Sequence, residues 1–425
     1  MKKILHLLLA SVPFAFAHHT PLKARQISKA LSSDDSEVVA AAWYPSWLGT
    51  TVPPESLSWD KYTSMTFAFA LTTSDPGAVS MDADSTALLP KFVEQAKSHN
   101  VNAMITIGGW TGSQFFSTNV ATAANRTIFV KTLTDLVTKY QLDGLDFDWE
   151  YPNQAGIGCN AMSPSDSANF LLFLQELKLD PVGSKLIISA AVSITPFTGS
   201  DGKPMSDVSA FADSLDWIAL MVYDVWGSWS DFVGPNAPLA DSCAAANLQQ
   251  GSVESAVAAW TAAKFPINKI VLGVAAYGHS FNVPKDVAIV NSQLAPYPTF
   301  VKSPQPPGEG ETANTKTTDS CGVTSGPTGV FSFSGLVTAG FLTSKGTPAS
   351  NILYRFDNCS QTPYVYNPST SVEISYDDAT SFASKGSFIK EKALKGFAMW
   401  HAAGDYKDIL LDSISAAIGI DDCST

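Results

Sequence analysis

Charge is scarce in this chain. Of its 425 residues only 15% are Asp, Glu, Lys or Arg, and acids outnumber bases 39 to 26. The net charge of −13 disfavours nucleic acid and anionic membrane surfaces as partners and suits a neutral or cationic ligand. Cysteine is scarce too. Cys159, Cys243, Cys321, Cys359 and Cys423 are widely spaced, with no CxxC or Cys/His arrangement, so neither a metal centre nor a cofactor is expected. The count fits an oxidising compartment, with two disulfides and one odd thiol. Long apolar runs are missing as well: beyond the first residues nothing approaches the ~20 needed to cross a bilayer. With 45% hydrophobic residues the chain is nonetheless ample for a large core, which excludes intrinsic disorder.

The N-terminus carries an address. Lys2 and Lys3 precede a mostly apolar stretch, Ile4 to Phe16, and Ala15-Phe16-Ala17 has the small-x-small form of a cleavage site. This predicts a secretory signal over 1–17, a linker or pro-segment over 18–36, and a secreted, extracellular protein. Asn125-Arg126-Thr127 and Asn358-Cys359-Ser360 match the N-glycosylation acceptor pattern.

Eight short apolar or aromatic runs recur along the rest: VVAAAWY (38–44), SMTFAFA (64–70), NAMITIG (102–108), LDGLDFDW (142–149), LIISAAVS (186–193), WIALMVY (217–223), KIVLGVAAY (269–277) and GFAMWHA (396–402). Helix-like segments such as NRTIFVKTLTDLVTKYQ (125–141) lie between them. Strands alternating with helices imply a parallel sheet, and eight such units imply an α/β protein of the (β/α)8 barrel type. The runs are apolar throughout because parallel strands bury both faces. About 120 residues separate the last two runs, and 282–375 are rich in Pro, Gly, Ser and Thr. A structureless loop of that length is unusual. A small α+β insertion domain is therefore expected at 282–375, between strand seven and helix seven, with the barrel over 37–281 and 376–425.

The stretch LDGLDFDWEYP (142–152) breaks the thrift in charge. Alternation along a strand puts Asp146, Asp148 and Glu150 on one face and Leu145, Phe147 and Trp149 on the other. The apolar set suits the outer helices, so the acids must line the barrel interior at its C-terminal mouth. Three crowded carboxylates in a poorly solvated place cannot all ionise, and a retained proton is what an acid catalyst needs. Asp143 lies out of step with the other three and is given a structural role.

DGLDFDWE resembles the Asp-x-x-Asp-x-Asp-x-Glu pattern of glycoside hydrolase family 18, the chitinases. ITIGGW (105–110), MVYD (221–224), YGHSF (277–281), and SYDD (375–378) with Lys385 before GFAMWHAAGD (396–405) follow in the family's order. The resemblance implies a retaining, substrate-assisted glycoside hydrolase. Glu150 is then the general acid, Asp148 orients the substrate acetamido group, and Asp146 shares a proton with Asp148. It implies sugar contacts from Tyr223, Asp224, Met221, Trp400, Trp110, Tyr277, Phe69, Trp43 and His279, with Trp226 and Trp229 as extensions of the aromatic track. Trp43 stands where the family generally has Tyr, Thr106 where it has Ser, and His279 where it has Arg. The expected partner is chitin or a chitooligosaccharide, met by a monomer acting within the polymer. Endo-β-N-acetylglucosaminidase action on N-glycans and a non-catalytic, lectin-like role remain as alternatives. By position, a bridge Cys159–Cys243 between two C-terminal loops and one Cys321–Cys359 within the insertion are the expected candidates, and the sequence alone does not fix the connectivity.

Overall fold

The computed structural model describes residues 38–420. The signal, the 18–36 segment and Cys423 lie outside the described residues. Eight parallel strands close on themselves: β1 (Val39–Pro45), β2 (Ser64–Thr72), β3 (Asn102–Gly108), β4 (Gly144–Asp148), β5 (Ile187–Val192), β6 (Trp217–Leu220), β7 (Ile270–Ala275) and β8 (Gly396–Trp400). Closure comes from β1, which pairs with both β2 and β8. The fold is a (β/α)8 barrel. Among the described residues, no helix is long and apolar enough to cross a membrane.

Alternation sorts each strand between two cores. In β1, Ala40, Ala42 and Tyr44 join the outer core beneath the helices, while Val39, Ala41 and Trp43 join the barrel interior. In β4 the outward set is Leu145 and Phe147, continued by Trp149 just beyond the strand. Phe147 meets Phe170 and Phe173 of the helix Asp166–Leu179 edge-on, and Trp149 stacks on Phe116 with ring centroids 5.1 Å apart. Packing the aromatic face outward leaves the acids no direction but inward.

A second, five-stranded antiparallel sheet follows β7. Its strand order is Val330–Ser332, Tyr277–Asn282, Val372–Ser375, Thr362–Asn367, Leu353–Asp357. Tyr277–Asn282 therefore belongs to this sheet and not to the barrel, which moves the expected boundary from 282 back to 277. Only Ala276 separates the strand from β7. Its N–H donates to Trp400 and its carbonyl accepts from Phe333, so one residue makes the corner with no backbone group left unpaired.

The disulfides correct the expected pairing. Cys159 bonds Cys321, and Cys243 bonds Cys359. No disulfide joins the loops after β4 and β6 to each other. Each meets the insertion, which folds back over the barrel mouth: the Thr317–Ser325 hairpin reaches the β4 loop, and the Asp357–Thr362 turn reaches the β6 loop. Sequence separations of 162 and 116 make both closures long. Replacing Cys159 and Cys321 together by Ser is expected to lower the unfolding free energy by about 4 kcal/mol, read from denaturant titration.

Candidate active site

The mouth of the barrel is built around Asp146, Asp148 and Glu150. Asp146 is 2% exposed and surrounded by donors. Its Oδ2 accepts from Trp43 Nε1 (3.0 Å) and Thr106 Oγ1 (2.8 Å), and its Oδ1 accepts from Ser189 Oγ (2.7 Å). Burial raises its pKa, and the three donors offset that rise only in part. Asp148 Oδ1, on the same face of β4, is buried with no hydrogen-bond donor beside it. Burial, then the charges of Glu150 and Asp146, hold the Asp148 carboxyl well above the usual carboxylate range. Burial lifts Glu150 to about 7, with Asp224 adding to the rise and a hydrogen bond from Tyr151 opposing it. The stack therefore holds protons near neutrality.

Glycines set this geometry. Gly108 has φ +107°, and a Cβ there would lie 2.3 Å from the Asp148 carbonyl; one on Gly109 would lie 2.9 Å from the Phe69 ring. The Gly-Gly of ITIGGW thus lets β3 approach the acid strand and seats Phe69. The backbone of Glu150 is held from both sides. Its N–H donates to Ser113 Oγ (3.0 Å), and its carbonyl accepts from Asn160 Nδ2 (2.8 Å). Ser113, Asn160, Ser189 and Tyr151 carried no signal in the sequence, since each acts through a backbone contact or a single neighbour.

At the end of β6, Asp224 adopts φ 57°. Its Oδ1 receives Tyr277 Oη–H at 2.7 Å and lies 2.7 Å from His279 Nε2. Asn236 Oδ1 accepts from the Asp224 N–H, and Asn236 Nδ2 donates to the Tyr277 carbonyl, tying the β6 loop to the second sheet. Tyr223 meets Tyr277 edge-on, and burial holds both phenols well above their usual range, as neutral donors. The His279 ring sits edge-on against both Trp229 and Tyr277.

The aromatic floor is continuous. Trp400 stacks on Phe69 (5.6 Å) and meets Trp43 edge-on (6.1 Å), with Met221 packed against the same cluster. Trp47, absent from the sequence-based candidates, stacks on Phe69 and is 56% exposed. Trp110 and Trp229 are also exposed, whereas Trp226 is buried against Tyr297 and cannot extend the track. Asp143 lies at the opposite end of β4, its carboxylate accepting from the Ala103 N–H. Among the described residues, no group of three His, Cys, Asp or Glu side chains is placed to hold a metal.

Comparison with known proteins points the same way. Residues 39–405 match the model of glycosyl hydrolases family 18. A "chitinase-like effector" of Moniliophthora perniciosa is 49% identical over 91% of this chain and 88% of its own length. A second "chitinase-like effector", from Moniliophthora roreri, is 46% identical over 92% and 96%. The crystal structure of a chitinase from Rhizomucor miehei superposes with a TM-score of 0.78 at 31% identity, covering 89% of this chain and 99% of that one. Closed barrel, acid stack and matched motifs together place the chain in glycosyl hydrolases family 18.

Proposed function

We propose that the protein is a secreted, endo-acting chitinase that hydrolyses β-1,4-linked N-acetylglucosamine polymers with retention of configuration. The observation that carries this is the intact acid stack, with Glu150 lifted to about 7 above an unpartnered, buried Asp148. Glu150 delivers its proton to the glycosidic oxygen as that bond breaks. The substrate's own acetamido oxygen attacks the anomeric carbon and forms an oxazolinium ion. Asp148, free of protein partners, is available to the acetamido N–H. Glu150 then takes a proton from water, which attacks the anomeric carbon from the face the leaving group vacated, opposite the acetamido oxygen, and opens the oxazolinium ring. Tyr223, Tyr277 and Asp224 present hydrogen-bonding groups beside the floor of Trp400. The exposed Trp47, Trp110 and Trp229 offer flat faces to further sugars along an open cleft. The test is product analysis of chitohexaose: internal cleavage into di-, tri- and tetrasaccharides with retained β-anomers is expected. Release of intact glycans from a glycoprotein instead would favour the endo-β-N-acetylglucosaminidase reading.

The second reading is a chitooligosaccharide-binding protein that does not hydrolyse. What favours it is the name "chitinase-like effector" borne by two relatives at 49% and 46% identity. Tight binding of chitotetraose with no product after long incubation would select it.

Secretion carries a corollary for modification. Asn358 is exposed in a turn, whereas Asn125 lies in the first turn of a helix, its Nδ2 committed to the Thr118 carbonyl at 2.8 Å. Secreted protein is expected to carry a glycan at Asn358 and none at Asn125, read from the intact mass of the Asn358→Gln and Asn125→Gln variants.

A further inference from the structure

Asn160 sits in a loop, yet it is buried and tied on both sides. Its Nδ2 donates to the Glu150 carbonyl at 2.8 Å, while its Oδ1 is buried with no donor. An unpaired buried amide oxygen is unfavourable, so the contact that fixes this orientation is the one to Glu150. The chain leaves room for that contact: a Cβ on Gly156 would lie 2.1 Å from the Glu150 carbonyl oxygen and 2.3 Å from Asn160 Nδ2. On one side of Asn160, Cys159 is bonded to Cys321 in the tip of the Thr317–Ser325 hairpin. On the other, the Ala161 N–H donates to the Gln114 carbonyl at 2.9 Å, and Gln114 Nε2 reaches back to within 3.1 Å of Cys159 Sγ. Ser113, next to Gln114, is fully buried and accepts from the Glu150 N–H. Both anchors of the Glu150 backbone thus belong to one assembly of the β3 and β4 loops, which the Cys159–Cys321 bridge fastens to the insertion. The Cys243–Cys359 bridge belongs to the β6 loop and takes no part in these contacts.

We propose that Asn160 is a positioning residue that aims the Glu150 carboxyl at the glycosidic oxygen, and that the Cys159–Cys321 bridge holds Asn160 to this task. The inference rests on Glu150 acting as the proton donor proposed above. The Glu150 side chain leaves the backbone between its own N–H and carbonyl, so fixing both groups fixes the direction of its Cα–Cβ bond. Releasing the carbonyl lets the following peptide plane turn and carries the carboxyl with it. A reacting group displaced by ~1 Å can lose about 10²-fold in rate. The four strand residues of the hairpin, Thr317, Thr318, Thr324 and Ser325, are all exposed, so apolar packing does not hold its tip against the β4 loop; the bridge does.

A misplaced acid shows itself through the leaving group. A sugar hydroxyl departs from chitohexaose only with a proton, whereas dinitrophenolate departs from a dinitrophenyl β-chitobioside without one. The readout is kcat/KM on both substrates, which covers the steps through bond cleavage. Asn160→Ala is expected to lower it by about tenfold or more for chitohexaose and by less than about twofold for the dinitrophenyl glycoside. Cys159→Ser/Cys321→Ser is expected to show the same selective loss, at about three- to tenfold, and Cys243→Ser/Cys359→Ser to leave the ratio of the two substrates unchanged. Dithiothreitol added to folded Cys243→Ser/Cys359→Ser protein opens the same bridge without refolding: the dithiol passes two electrons and two protons to it, leaving two cysteine thiols and its own cyclic disulfide. Equal loss on both substrates in Asn160→Ala, or no loss, overturns the role of Asn160. An unchanged ratio once the bridge is opened overturns the part assigned to the bridge. A wild type that turns over neither substrate would instead defeat the hydrolase reading, and this proposal with it.

Discussion

Replacing Glu150 by Gln is expected to lower chitohexaose turnover by about 10²–10⁴-fold, the range for losing a general acid–base group, while oligosaccharide binding is retained. The substitution conserves shape and removes only the proton. The backbone anchors from Ser113 and Asn160 do not involve the side chain and should persist. The pH dependence is part of the same prediction. Glu150 must be protonated to act, and its pKa is about 7, so turnover should fall as pH rises through that value. Near-normal turnover in the variant would remove Glu150 from the acid role. A collapse of binding along with rate would mean that the side chain holds substrate instead.

The second large effect lies in the insertion and concerns stability. Glu373 is 1% exposed on the strand Val372–Ser375, paired across the sheet with Phe281 and Tyr366. Its Oε2 has no partner, and burial pushes its pKa to about 8, with Arg355 partly opposing. Arg355 is itself engaged with Asp357 and lies over the Tyr364 ring. The folded protein thus holds this proton more tightly than the unfolded chain, whose Glu titrates near 4.5. The contribution to stability is fully present below about pH 4.5 and is lost as pH rises through about 8. The loss is on the order of 4 kcal/mol for a shift of this size. Glu373→Gln stays neutral at every pH. It should match the wild type in denaturant titrations at pH 4 and exceed it clearly at pH 9. Parallel pH dependence of the two proteins would show that Glu373 finds a partner when ionised.

The barrel was legible because parallel strands, covered on both faces, leave dense apolar runs; the run NAMITIG coincides with β3 from Asn102 to Gly108. The acid stack was legible for a related reason. Strand periodicity converts a linear pattern into a face, and Phe147 and Trp149 had only one side to go to. The start of the second sheet was not, because KIVLGVAAYGHSF contains no turn residue where the chain bends at Ala276. Disulfide partners depend on where loops travel after leaving their strands, and periodicity says nothing about that. Trp47 was hidden among ordinary loop aromatics until its stacking on Phe69 was seen.

The two bridges have a consequence beyond fixing the insertion. Along the chain their ends alternate, Cys159 then Cys243, Cys321 then Cys359, so the closed circuits overlap instead of nesting or following one another. A protease that severs the backbone once, anywhere between Cys159 and Cys359, leaves every piece still joined covalently to the rest. The acid stack of Asp146, Asp148 and Glu150 upstream and Trp400 downstream stay on one molecule after such a cut.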